Sequence, residues 1–232
     1  MTQRVVLVRH GHDPNDDRVA TYLSQAGFEI DVRKPFAGDT IGEVTDDVAG
    51  TVVYGGMYNA YDTEKHPFLN EEYRWIGAAL DAGLPILGLC QGAQMMAYHQ
   101  GAWAGAPDHG KHEFGLYEVS PTGADDGFMP GPMHVTQAHY HTFDLPDGAV
   151  HLARSEMFEN QAFRMGDKAY GFQFHPGQTV ESFRRWQTSR PNSYEKPGAQ
   201  DQAEQDRLLY EHDAAQAAWF FSFLEGFLGR PE

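Results

Sequence analysis

Short apolar runs, broken at regular intervals by turn residues, set the rhythm of the first hundred positions. Arg4 to Val8 is β-branched and stops at charged and glycine residues, as a buried strand does. Asp16 to Gly27 has helical spacing at Val19, Leu23 and Ala26 and ends on a glycine suited to a C-cap. Phe28 to Arg33 alternates apolar and polar, the pattern of a strand near a sheet edge. Gly50 to Tyr54 is another short apolar run, halted by Gly55-Gly56. Leu69 to Ala82 returns to helical spacing and closes at Gly83, Pro85 to Leu89 reads as a strand, and Gln91 to Gln100 as a helix after a very tight turn. Strands and helices alternating at such short intervals predict an α/β fold with a central, mostly parallel sheet.

After Ala102 the texture changes. Leu116–Ser120, Met133–Thr136, Ala149–Arg154, Ala162–Met165 and Ala169–Phe174 are strand-like runs with no helical pattern between them. They predict either an antiparallel extension of the same sheet or a hairpin layer on it. Residues 187–206 are polar and contain Pro191, Pro197 and Gly198, which reads as a polar excursion; 208–228 reads as a C-terminal helix. Its aromatic stripe of Trp219, Phe220, Phe223 and Phe227 is expected to pack on the sheet, a homodimer contact being the alternative. No repeat interrupts the chain, and residues 1–232 are expected to form one domain.

Composition narrows the classes. The 232 residues are 41% hydrophobic, enough for a packed core. No apolar run approaches the ~20 residues of a membrane helix. Seventeen Lys and Arg against 33 Asp and Glu leave a formal charge of −16, which argues against nucleic acid and membrane surfaces as partners. A single cysteine excludes an internal disulfide and, with no signal pattern at the N-terminus, suits the cytoplasm.

That cysteine lies in the most informative segment, PILGLCQGAQMMA, residues 85–97. Gly88-x-Cys90-x-Gly92 between a strand and a helix is the cysteine counterpart of the G-x-S-x-G nucleophile elbow. A nucleophile on so sharp a turn sits in strained backbone, and small residues two before and two after let neighbouring chains pass. The helix N-terminus favours a thiolate, and the Gln91 N–H points where an oxyanion would form. A buried, inert cysteine is the alternative, and the paired glycines argue against it. A base is also needed. His175, in AYGFQFHPG, stands at a strand end enforced by Pro176, where it can face a nucleophile on another strand.

GLCQGAQ and YGFQFHP together resemble the nucleophile and histidine motifs of class I glutamine amidotransferases, a flavodoxin-like α/β family with a Cys-His-Glu triad. YGGMYNAYD (54–62) resembles that family's Gly-Gly loop, and HTFDLP (141–146) with QAFRMGDKAYGFQFHP (161–176) resembles stand-alone glutaminases similar to the GMP synthase domain. The resemblance implies a three-layer sandwich and a set of roles. Cys90 would form a γ-glutamyl thioester and His175 would act as base and then acid. The N–H groups of Gly56 and Gln91 would form the oxyanion hole, and Gln94 would help hold the substrate's glutamine portion. Glutamine or a γ-glutamyl compound is the implied substrate and a separate synthetase the candidate ammonia acceptor; no cofactor is implied. His139 and His141, at period two on one strand face, are further candidates near the substrate.

The chain departs from the family where His-Pro-Glu is expected, for it reads His175-Pro176-Gly177. In serine hydrolases, disabling the residue that orients the histidine costs on the order of 10⁴ in turnover. A thiolate depends less on its base. Gln178 or Glu181 could reach the imidazole from the next turn, Gln178 in the way an asparagine does in papain-like proteases. The alternative is a binding or regulatory protein that kept the fold and lost catalysis.

Two other motifs compete. VLVRHG (6–11) has the look of a histidine phosphatase start, but that family needs a second strand-end histidine late in the chain, Asp108-His109-Gly110 follows no strand, and an acidic protein is a poor phosphate binder. Arg9 and His10 are then expected to line the end of the first strand. His109, His112 and Glu113 lack the spacing of a zinc site, and no metal is expected.

Overall fold

The computed structural model describes residues 3–125 and 127–231. Along the chain run β1 (Arg4–Val8), α1 (Arg18–Ala26), β2 (Glu29–Arg33), β3 (Val48–Val53), α2 (Leu69–Asp81), β4 (Ile86–Leu89) and α3 (Gln91–His99). There follow β5 (Ala104–Gly105), β6 (Glu113–Pro121), β7 (Met133–His139), β8 (Thr142–Phe143), β9 (Val150–Arg154), β10 (Ala162–Met165), β11 (Ala169–Phe172), α4 (Val180–Ser189) and α5 (Gln202–Leu228). Nine strands form one sheet in the order β2-β1-β3-β4-β11-β10-β9-β6-β7. β2, β1, β3, β4 and β11 are parallel neighbours, and β10, β9, β6 and β7 continue antiparallel. The second half therefore extends the first sheet and does not form a layer on it. β5 and β8 pair in a separate two-stranded ribbon that the sequence pattern did not reveal, each strand being two residues long.

The parallel strands read as continuous apolar runs because both faces are covered. Val5 and Leu7 pack with Val19 and Leu23 of α1 and with Trp219, Phe220 and Leu224 of α5. Val6 and Val8 pack on the other face with Leu69, Trp75 and Ile76 of α2 and with Met95 and Met96 of α3. The result is the expected three-layer sandwich. The aromatic stripe of α5 is part of it, with Trp219 edge-on to Phe128 and Phe220 fully buried. No helix among the described residues is long and apolar enough to cross a membrane.

The largest difference from expectation lies between 180 and 208. Residues 180–189 are helical, and α5 starts at Gln202 rather than 208. α4 is held by a capping box in which both partners, Thr179 and Ser182, are hydroxyl residues. Phe183 and Trp186 are buried with the cluster of Phe114, Leu116, Leu208 and Leu209 beneath it, and Val180 packs at its edge. On α5 the buried face carries glutamines. Gln205 donates to Phe114 O at 2.9 Å, and Gln216 accepts the Thr136 N–H at 2.7 Å. Polar residues that spend their amides on strand backbone blur the apolar stripe that marks a helix.

Candidate active site

β4 delivers Cys90 directly into α3. Cys90 has φ 52° and ψ −107°, and among the described residues it is the only non-glycine with positive φ. Both flanking glycines are sterically required. A Cβ on Gly88 would stand 2.6 Å from Gly92 C, and one on Gly92 would overlap Val53 O and lie 2.8 Å from Val53 C. The Cys90 N–H is bonded to Phe172 O of β11 at 2.7 Å, so the strained residue is anchored on the neighbouring strand. The Gln91 side chain ties the elbow to the Gly55-Gly56 loop, its Oε1 accepting the Tyr58 N–H at 3.0 Å.

β11 ends at Phe172, two residues earlier than the apolar pattern suggested, because the chain there changes partners. The Gln173 N–H goes to Gln161 O, and the His175 N–H crosses to Thr136 O of β7 at 2.8 Å. A Cβ placed on Gly55 would lie 2.8 Å from His175 Cε1 and 3.2 Å from Cys90 Cβ, so the two side chains are within about 6 Å of each other. The imidazole meets the Trp186 ring edge-on at 4.9 Å, and its Nε2 is buried with no hydrogen-bond partner. Cys90, His175, Gly55, Gly56, Tyr54, Gln178, Trp186 and Arg190 line one cleft of about 330 Å³ at the carboxyl ends of the parallel strands.

The turn after His175 is gripped by Arg18. Its backbone N–H donates to Gly177 O at 2.8 Å, and its guanidinium donates to Pro176 O at 3.0 Å and to Gln178 O. The same guanidinium pairs with Asp213 of α5 at 2.5 Å. A side chain at Gly177 would point at Phe220 and Val19, 3.7 and 3.9 Å from its Cβ. Neither candidate for the third triad member takes up the role. Gln178 lines the cleft, but its Oε1 is buried without a partner and bonds no imidazole nitrogen. Glu181 is exposed and sits beside Arg184 and Arg185 on the outer face of α4, turned away by the helix that the sequence pattern missed.

Burial dominates the electrostatics. It pushes the Cys90 thiol up to about 11, against the opposing effects of the Arg190 charge, the Gln91 N–H and the Gln173 carboxamide. The helix N-terminus does favour the thiolate through the Gln91 N–H, but burial outweighs it. Burial, with Arg190 adding repulsion, pulls His175 down to about 3. At neutral pH the pair is a thiol and a neutral imidazole.

The other candidates are placed differently from expectation. Gln94 is buried, and its Nε2 donates to Gln173 Oε1 and His141 O, both at 3.1 Å. β7 ends at His139, so His139 and His141 do not share a strand face. His139 is held between Glu113 Oε2 and His141 O, both at 2.9 Å, whereas His141 is half-buried beside Tyr61. Gln94, His139 and His141 are not among the residues that line the Cys90 cleft. Glu113 also accepts from Ser155 and Gln161, which accounts for its burial without a metal. His10 is locked between Tyr54 O at 3.1 Å and Glu72 at 2.7 Å, and Arg9 is paired with Asp17 and stacked on Tyr54. An imidazole so enclosed cannot attack a phosphoryl group, which removes the phosphatase reading.

Residues 12–185, more than half of the chain, match the family model described as glutamine amidotransferase class-I. The chain belongs to that family. Its sequence is similar to GMP synthase (glutamine-hydrolyzing) of Porphyromonas gingivalis, 31% identical over 134 residues, covering 56% of this chain and 25% of that protein. It is also similar to a separate subunit of the glutamine-hydrolyzing GMP synthase of Thermococcus kodakarensis, 36% identical over 97 residues, 40% of this chain and 50% of that one. These place it in the GMP-synthase-like subgroup, although the chain spans only a quarter to a half of those relatives' lengths. A solved glutamine amidotransferase from Thermotoga maritima superposes with a TM-score of 0.86 at 28% identity, over 98% of this chain and 99% of that one. One from Methylobacillus flagellatus, at 22% identity with a TM-score of 0.88 over 100% of this chain and 98% of that one, shares the fold.

In this amidotransferase three residues that sequence reasoning passed over act on the Cys90–His175 pair, Arg190 from the cleft lining and Gln173 and Arg18 from behind it. Gln173 was visible inside FQFHP without a role; its Nε2 has no hydrogen-bond partner, and its carboxamide favours the thiolate of Cys90. Arg18 fell inside the Asp16–Gly27 helix and was given no role, and Arg190 fell in the segment read as a polar excursion. No local pattern distinguishes either from a surface arginine.

Proposed function

We propose that this amidotransferase hydrolyses a γ-carboxamide, that of glutamine or a γ-glutamyl compound, through a thioester on Cys90. Sγ attacks the amide carbon while His175 takes the thiol proton and passes it to the departing nitrogen, which leaves as ammonia or an amine. The N–H groups of Gln91 and Gly56 are the proposed oxyanion donors. Water, activated by the same imidazole, then cleaves the thioester and releases the γ-carboxylate. Where ammonia is used further, the likeness to the Thermococcus GMP synthase protein points to a synthetase as acceptor. The observation that carries this reading is Cys90 held at φ 52° on the elbow, opposite His175 in one cleft.

A second reading has its own support. With no acid at Gly177, a thiol at about 11 and an imidazole at about 3, proton transfer within the pair is strongly uphill, as in a binding or regulatory protein that has lost turnover. Ammonia release from glutamine and a panel of γ-glutamyl amides separates the two. Turnover is expected in the wild type and absent in Cys90→Ala. No turnover on any amide, with Cys90 alkylating no faster than a free thiol, would sink the enzyme reading in favour of a binding protein or a partner-activated subunit.

A further inference from the structure

The cleft does contain an acid–imidazole pair, but His175 is not in it. His10 lines the cleft just beyond the end of β1, and Glu72 reaches it from the first turn of α2, with both side chains fully enclosed. Its Nε2 meets Glu72 Oε2 at 2.7 Å, and its Nδ1 meets Tyr54 O at 3.1 Å. A neutral imidazole has one donor and one acceptor nitrogen. Here both nitrogens face acceptors, and a carbonyl has no proton to give. Nδ1 therefore donates to Tyr54 O, and a further proton is shared between Nε2 and Oε2. Glu72 Oε1 is buried without a partner, so among the described residues His10 is the one group that satisfies this carboxyl. With both nitrogens occupied, the ring cannot serve as a base.

What the pair grips is the start of the Gly55-Gly56 loop. Tyr54 is fixed on every side: its carbonyl by His10, its N–H by Val8 O at 2.9 Å and its hydroxyl by Asp17 at 3.1 Å. Two residues on, Gly56 is wedged in place. A Cβ there would lie 2.5 Å from His10 Cβ and 2.7 Å from Gln91 Oε1. The loop thus runs between His10 and the first residue of α3.

We propose that Glu72 and His10 are positioning residues that hold the Gly55-Gly56 loop so that the Gly56 N–H meets the oxyanion. The inference rests on the reading of that N–H as an oxyanion donor. Such a donor helps only if it is in place before the charge develops. A glycine pair is the hardest backbone to hold still, and its lack of side chains leaves the restraint to its neighbours. A carboxyl group that orients an imidazole is the logic of a catalytic triad, applied here to the loop and not to the base. The ring in turn fixes a carbonyl one peptide away from the donor.

Glu72→Leu and Glu72→Gln test this in the full chain with three measurements. Hydrogen exchange reads the loop, and kcat and KM on glutamine read the hole. Iodoacetamide labelling of Cys90 reads the elbow, because alkylation displaces iodide at a saturated carbon and forms no oxyanion. Glu72→Leu should speed exchange at residues 54–58 at least ~10-fold and leave 86–97 unchanged. It should lower kcat roughly 10- to 100-fold, less than outright loss of a donor, with KM and labelling within about threefold. Glu72→Gln can donate to Nε2 and leave the Nδ1 hydrogen on Tyr54 O, and should restore most of both losses. If neither variant folds, the wild type decides: the His10 Nδ1 proton should be visible by NMR at neutral pH and slow to exchange, and a bare Nδ1 would overturn the proposal. Loop exchange unchanged in Glu72→Leu, or raised without a fall in kcat, or turnover and labelling slowed equally, would also overturn it. Turnover absent from the wild type, with loop exchange still raised in Glu72→Leu, would sink the glutaminase reading and keep the pair as the loop's support.

Discussion

The Cys90 elbow and the His175 turn face each other across one cleft, and they are held in different ways. At the elbow the residues that make the turn possible are contiguous. Gly88 and Gly92 remove the side chains that would collide with the backbones of Gly92 and Val53, and one strand-to-strand bond fixes the strained residue. At the turn almost nothing is local. Three successive carbonyls, at 176, 177 and 178, are bound by Arg18 from α1, which is itself paired to α5 through Asp213. Where the family pattern has a glutamate that orients the ring, this chain has a clamp on the backbone that carries the ring. The comparison teaches that a base can be positioned through its main chain, but such a clamp places no negative charge beside the imidazole and does nothing to stabilise its protonated form.

Breaking the elbow should have the largest effect. Gly92→Ala drives a Cβ into Val53 O, a backbone atom that cannot move aside, so a loss of more than about 4 kcal/mol is expected, read as insoluble protein or a collapsed denaturant midpoint. A soluble variant with wild-type stability would show the elbow to be looser than its packing implies. Breaking the clamp comes next. Arg18→Met strands Asp213 and the carbonyls of Pro176 and Gln178 while keeping the backbone bond to Gly177 O, and should cost about 3 kcal/mol in urea unfolding. It should also impair turnover more than Cys90 alkylation, because it frees the base and leaves the elbow intact; equal losses in both would mean that the clamp supports the whole cleft.

The smallest effect sharpens the electrostatic side of the comparison. In the fold His175 takes a proton only near pH 3, whereas in the unfolded chain it does so near 6.5. Between these values the unfolded state binds the extra proton, so stability falls as pH falls. From pH ~6.5 to ~5 the loss attributable to His175 is about 2 kcal/mol, and His175→Gln should remove it. An unchanged pH slope in the variant would show that the imidazole is better solvated than its burial indicates.

Sequence reasoning read the elbow, the parallel half of the sheet and the position of His175 because each depends on a few contiguous residues. Gly-x-Cys-x-Gly needs only its own steric logic, and β1, β3 and β4 are apolar because both their faces are covered. It misjudged α4 and the start of α5, where core-facing Gln205 and Gln216 serve strand backbone and dilute the helical stripe. It also assigned substrate roles to His139 and His141, whose strand ends at His139 itself.

The sequence by itself determined the fold class, the strained nucleophile and the absence of an acid at position 177. Only the tertiary structure decided what stands in that region instead: Arg18 on the backbone, Trp186 against the ring and Arg190 beside the thiol. The physical reason is distance along the chain. Arg18 grips carbonyls about 160 residues away, and a long-range contact made by an arginine to main-chain oxygen leaves no periodicity and no motif in the segment that supplies it.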